Sequence, residues 1–95
     1  MSRTPKFKFR LYVAAGTPNS NQAEANLNSL CRIYLPDRHE IEVVDVNVEP
    51  QRALADDIRM TPTLLKLSPP PARRIVGTLG QTQRVLDTLG LNAAQ

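Results

Sequence analysis

The chain has 95 residues, of which 41% are hydrophobic, with four aromatics, one cysteine and a formal net charge of +3. A chain of this size fits one domain with a modest core, which must here be built from Leu, Val, Ile and Ala. A lone Cys31 excludes an intramolecular disulfide and a cysteine-based metal cluster, and no apolar run nears the ~18 residues of a membrane-spanning helix.

The opening MSRTPKFKF lacks the apolar segment of a signal peptide, so a cytoplasmic protein is expected, with no membrane partner. Charge is unevenly placed. Arg3, Lys6, Lys8 and Arg10 crowd the start, while Asp37, Glu40, Glu42, Asp45, Glu49, Asp56 and Asp57 fall between 37 and 57. A nucleic-acid surface needs a basic stripe with base-reading partners; here the lysines alternate with Phe7 and Phe9, as on the solvated face of a strand. No nucleic-acid partner is expected.

In chain order, KFKFRLYVA sets Phe7, Phe9, Leu11 and Val13 against Lys6, Lys8, Arg10 and Tyr12, the period-two alternation of a strand. Thr17-Pro18 reads as a helix N-cap followed by proline at the first helical position, where its missing N–H costs nothing. Ala23, Leu27, Leu30, Cys31 and Tyr34 then fall on one helical face, and Pro36 ends the helix. IEVVDVNV is β-branched and nearly continuous in its apolar character, which suits a strand covered on both faces. Pro50 opens a short helical turn, QRALADDIR, with Leu54 and Ile58 one turn apart. TLLKLS and RRIVG are joined by PPPA, too short for a parallel crossover, so they are expected to pair antiparallel. Thr78 and Gln81 have capping-box spacing, Val85, Leu86 and Leu89 give a last helix its apolar stripe, and Gly90 stands where a C-cap belongs.

The resulting order, βαβαββα, resembles the thioredoxin fold, a four-stranded mixed sheet with helices on both faces. Residues 6–91 are read as the single domain, 1–5 as a flexible N-terminus and 92–95 as a short tail. In thioredoxin-like proteins the first helix begins at two cysteines separated by two residues, where this chain has Thr17-Pro18-Asn19-Ser20. The resemblance also places a cis-proline before the third strand, and Pro62 in Met-Thr-Pro-Thr matches it. An X-Pro bond adopts cis at a cost of only ~0.5–1 kcal/mol, so proline suits that place.

The redox chemistry is missing. Disulfide exchange needs a thiolate and a second sulfur. Thr17 and Ser20 are alcohols, read most simply as capping residues, and Cys31 is read as a small inert hydrophobe inside a helix. His39 is a lone histidine in a polar turn. With no phosphate-cradling loop, paired carboxylates or nucleophile elbow, a non-enzymatic protein without catalytic residue, metal or cofactor is expected.

LYVAAGTPNS, VVDVNVEPQRALADDIRMTPTLLKLSPPPARRIVG and RVLDTLGL together resemble the KaiB family of circadian clock proteins. The most specific stretches are Tyr12-Val13-Ala14 leading to Thr17-Pro18-Asn19-Ser20, Asp45-Val46, Thr61-Pro62-Thr63-Leu64, and Pro69-Pro70-Pro71 before Arg73-Arg74-Ile75. The sensor domain of the SasA clock kinase is similar, but there a kinase follows it. The resemblance implies a regulator that binds the N-terminal ATPase ring of a KaiC-type hexamer, captures KaiA and competes with a SasA-type kinase. A KaiB-like adaptor of a KaiC-like ATPase in stress response is the alternative, and a thioredoxin-like redox protein a distant third.

The resemblance also implies a fold-switching protein with a second, tetrameric fold. Pro69, Pro70, Pro71 and Gly77 would then act as hinges, and local signals favour the thioredoxin-like state, expected to be a monomer. The chain departs from familiar members in Ala14-Ala15-Gly16-Thr17, where the glycine has moved, and in Thr78, Gly80 and Gln81 after Ile75-Val76-Gly77. From thioredoxin-like proteins the expected partner-binding surface is the edge where the first helix begins. It comprises Thr17, Pro18, Asn19 and Gln22, with Arg74 and Gln81 nearby.

Overall fold

In the computed structural model, which describes residues 6–91, the alternation at the start of the chain forms strand β1 (Phe7–Val13). The N-terminus and tail expected at 1–5 and 92–95 lie outside the described residues. Pro18 starts helix α1 (Pro18–Tyr34), followed by strand β2 (His39–Asp45), helix α2 (Pro50–Ala55), strands β3 (Thr63–Ser68) and β4 (Arg73–Val76), and helix α3 (Thr82–Leu89). The sheet order is β2-β1-β3-β4. β1 and β2 are parallel, and β3 runs antiparallel to both β1 and β4. This is the βαβαββα mixed sheet expected from the sequence.

The larger core lies under α1 and α3. Phe7, Phe9, Leu11 and Val13 from β1 and Leu64 from β3 meet Ala23, Leu27, Leu30 and Cys31 of α1 and Val85, Leu86 and Leu89 of α3. The predicted stripe of α1 holds, except that Tyr34 is exposed and Leu35, just beyond the helix, is buried in its place. Leu79 has φ 65°, in the left-handed region leucine rarely adopts, and is buried in this core. That apolar anchor between Gly77 and Gly80 fixes the approach to α3. Gly90 then ends α3 with φ 76°, as a C-cap glycine does.

Lys66 is the unexpected member of this face. It is buried, its Nζ donating to the Leu89 carbonyl at 3.2 Å and lying 5.5 Å from the centroid of the Phe7 ring. An ammonium at the carbonyl end of a helix is favourable, and burial, more than nearby Arg73, lowers its pKa.

Several expectations are corrected. β2 is an edge strand rather than one covered on both faces: only Val44 is buried, and the slip between Val43 and Val44 leaves Val43 partly exposed. The strand ends at Asp45, and Val48 beyond it is exposed. Tyr12, grouped by alternation with solvated Lys6 and Lys8, is fully buried in a second cluster with Val44, Ala53 and Leu65 under α2. Leu54 points away from that cluster, where Ala53 and Ile58 pack instead. The Thr78…Gln81 capping box does not form, because α3 starts four residues after Thr78 and no side chain caps it. His39 opens β2 rather than lying in a turn, and its Nδ1 lies 2.7 Å from the Leu35 carbonyl.

Candidate protein-docking surface

The N-terminus of α1 presents Thr17, Pro18 and Asn19 to solvent. Thr17 occupies the N-cap position, but its hydroxyl does not cap: it donates back to the Ala14 carbonyl at 2.8 Å. The residue that fixes this loop is Ser20, whose buried Oγ accepts the Ala14 N–H at 3.0 Å. The thioredoxin-like cysteine positions are therefore held by two hydroxyls that both fold the chain back onto Ala14. Gln22 bonds Asn26 at 3.3 Å, and Asn26 donates to the Thr78 carbonyl at 2.8 Å. That relay joins the exposed side of α1 to the loop entering α3, three residues before Gln81.

Arg74 turns the other way. It shares its face of the sheet with Leu65, and its guanidinium donates to the carbonyls of Asp56, at 2.6 Å, and Asp57, at 3.1 Å. The expected set is joined in part: Thr17, Pro18, Asn19 and Gln22 lie at the start of α1, Gln81 and Arg74 line one groove between α3 and β4, and the Arg74 guanidinium ties β4 to the end of α2. Pro62 is buried between them, and its bond to Thr61 is cis, as are Ser68–Pro69 and Pro70–Pro71. The triple proline forms the β3–β4 corner, and Gly77 follows β4 with φ 119°.

Sequence reading missed the polar network that seats α2 on the sheet. Glu42 takes Arg10 at 2.9 Å and Arg52 at 2.7 Å, and Arg10 also reaches Asp56 at 3.0 Å. The Tyr12 hydroxyl lies 2.5 Å from Asp56 Oδ2 and 3.0 Å from the Arg52 carbonyl. Its single proton goes to the shorter, charged acceptor. The Arg52 and Arg10 hydrogen bonds hold the Glu42 carboxyl down at about 2. Asp56 is lowered first by the Tyr12 hydrogen bond, while burial, ahead of Asp56, raises Tyr12. Each charged group has its counter-charge, so the network is a clamp rather than an acid–base pair with separated pKa values.

Large apolar side chains are also exposed. Val48, Leu54, Met60 and Val76 are 72, 79, 64 and 52% exposed. Met60 and Val76 line a depression of about 280 Å³ with Arg59 and Arg74, just ahead of Pro62. Met60 could have been singled out from its place before Thr61-Pro62; Leu54 could not, since its spacing from Ile58 suggested burial. Cys31 has no place here: it is fully buried, and burial pushes its thiol up to about 11, where thiolate chemistry is suppressed. Among the described residues no cluster of three or more His, Cys, Asp or Glu could hold a metal ion, and no helix is long and apolar enough to cross a membrane.

Comparison with known proteins settles the family. The KaiB domain model matches residues 10–91. The chain belongs to the KaiB family. It is 43% identical over 83 residues to the circadian clock protein KaiB3 of Synechocystis, covering 87% of this chain and 79% of that protein. It is also 43% identical over 91 residues to the circadian clock oscillator protein KaiB of Prochlorococcus marinus, covering 96% and 76%. Among solved structures, chloroplastic thioredoxin z superposes with a TM-score of 0.76 at 18% identity, covering 93% of this chain and 80% of that one. The N-terminal domain of Synechococcus elongatus SasA gives 0.72 at 18% identity, covering 98% and 91%. At such identity these two establish the thioredoxin-like fold alone.

Proposed function

We propose that this KaiB-family protein is a cytoplasmic, non-enzymatic clock regulator. It binds the N-terminal ATPase ring of a KaiC-type hexamer in the fold described here and thereby adjusts that ATPase's cycle. The observation that carries the reading is the exposed pair Met60 and Val76, which line one depression with Asp57, Arg59 and Arg74 at the Pro62 loop; Val48 and Leu54 are exposed as well. An apolar centre with a charged rim has the anatomy of a protein interface. Thr17, Pro18, Asn19, Gln22 and Gln81 extend it toward α1 and α3. The reading also includes competition with a SasA-type kinase, whose sensor domain shares the fold, and capture of KaiA. Pro69, Pro70, Pro71 and Gly77 bound β4 and serve as hinges to a second, tetrameric state of the same chain.

The test is a pull-down of the host's KaiC homologues, with ATP and with ADP, by the wild type, Met60→Asp and Leu54→Asp. Both side chains are exposed, so both variants are expected to keep their melting temperature and lose capture. Failure of the wild type to capture any homologue in either nucleotide would overturn the reading.

A further inference from the structure

β4 forms the second edge of the sheet. The Gly77 N–H donates inward to the Pro62 carbonyl at 2.9 Å. In an antiparallel pair, inward-bonded and outward-facing residues alternate. Ile75 opposite Leu64 is therefore bonded inward, and the N–H and C=O groups of Arg74 and Val76 face outward. Among the described residues no backbone group takes them up.

Beside this open edge lies a groove of about 450 Å³. One wall is Arg74 to Val76; the other is Gln81 and the α3 face carrying Arg84, Val85 and Thr88. Its charged lining residues are Arg74, whose guanidinium is taken up by the Asp56 and Asp57 carbonyls, and Arg84, with no carboxylate among them. Asp87 opens onto a neighbouring depression that Arg84 also lines, where Gln83 donates to it at 3.1 Å. The opposite edge differs: Glu40 and Glu42 of β2 are already met by Lys6, Lys8, Arg10 and Arg52. Four residues of strand at ~3.3 Å each and eight of helix at ~1.5 Å each give walls of about 12–13 Å, the reach of a segment of about four residues.

We propose that this groove takes an acidic, extended segment of a protein partner, added to β4 as a fifth strand. The outward groups of Arg74 and Val76 supply main-chain hydrogen bonds, and Arg84 selects for carboxylate side chains. Strand addition of this kind draws affinity from the backbone and specificity from the flanking side chains. Edge arginines alone serve to discourage aggregation; the adjoining groove with Arg84 distinguishes this edge. The inference rests on the docking reading above and specifies how one part of that surface engages.

The test is amide-resolved titration of the full chain with the blocked peptide Glu-Val-Glu-Val-Glu and its lysine counterpart Lys-Val-Lys-Val-Lys. The acidic peptide is expected to shift the amides of Arg74 and Val76 and slow their exchange, and the basic one to bind at least ~10-fold more weakly. Val76→Pro removes an outward donor and leaves the inward ladder intact, so the acidic peptide should weaken by up to ~10-fold. Arg84→Glu, on the exposed side of α3, should weaken it as much without altering the melting temperature. Equal response to both peptides, shifts along β2 instead, or indifference to both substitutions would overturn the proposal. Capture of the hexameric ATPase is scored separately. Capture without acidic-peptide binding removes the groove and leaves the docking reading, whereas peptide binding without capture does the reverse.

Discussion

On one face of the sheet, Phe9, Leu11 and Leu64 meet α1 and α3 through apolar contact, with buried Lys66 at its end. On the other, short α2 covers Tyr12, Val44 and Leu65 and is seated by Arg10, Glu42, Arg52 and Asp56. The first arrangement is non-directional and scales with buried area; the second depends on the geometry of a few hydrogen bonds. A helix of six residues cannot bury enough apolar surface to fix its own position, and its outward Leu54 adds none. Directional bonds do that instead, and Leu54 stays exposed.

The sharpest way to break this contrast is to cut each face in turn. Leu27, 1% exposed in the α1/α3 core, should lose about 2–5 kcal/mol on substitution by alanine, the range for buried leucines. Urea unfolding of Leu27→Ala measures it, and a loss below ~1 kcal/mol would mean that this face collapses around the gap. Tyr12→Phe keeps the ring under α2 and removes the hydroxyl from Asp56 and the Arg52 carbonyl. It should cost about 1–3 kcal/mol, because Asp56 keeps Arg10 but loses its nearest donor. A cost near zero would show that packing, not the clamp, seats α2.

The two faces also differed in how far the sequence revealed them. Period two in β1 and period 3.6 in α1 and α3 are signals of burial on one side, so the α1/α3 core was legible, with Leu35 for Tyr34 the one exchange. The α2 face was not. Tyr12 falls in a row with Lys8 and Arg10, and nothing local marks it as buried while they are exposed or half-buried. Its partners Arg52 and Asp56 lie 40 and 44 positions away. Hydrogen bonds between residues that distant leave no periodic trace. Lys66 is the same lesson on the other face: a lysine inside TLLKLS is buried because the Leu89 carbonyl and the Phe7 ring are brought to it by the fold. Of the candidate site, the helix start at Thr17-Pro18 was legible from turn chemistry, while the choice of Thr17, Pro18 and Asn19 as docking residues came from the resemblance to thioredoxin-like proteins. The exposure of Val76 and the turning of Arg74 toward Asp56 depended on which sheet face each occupies, and that of Met60 on the course of the loop before β3.

Acid sharpens the comparison further. The folded Glu42 carboxyl sits at about 2, below its ordinary 4.5. A depressed carboxylate contributes stability that is present above the unfolded value and lost as pH falls through the folded one. The loss should therefore develop between 4.5 and about 2, and Glu42→Gln should flatten melting temperature against pH across that window. Glu42 is 46% exposed, so solvent screening keeps the effect at neutral pH below that of Tyr12→Phe, and added salt should shrink it. Leu27→Ala should leave the slope in this window unchanged. An equal slope in wild type and Glu42→Gln would place the acid sensitivity elsewhere.

The smallest effect is expected where the polar face runs out beyond α2. Glu40 lies 4.0 Å from Lys6 and 3.9 Å from Lys8, and all three side chains are more than half exposed. These long pairs differ from Glu42, which two arginines meet at 2.9 and 2.7 Å, one of them from α2. Exposed pairs of this kind contribute about 0–0.5 kcal/mol, so Glu40→Gln should leave the urea midpoint almost unmoved. If Glu40→Gln instead cost as much as Tyr12→Phe, the charge along the whole face would be stabilising the sheet. The clamp would then not be confined to the residues beneath α2.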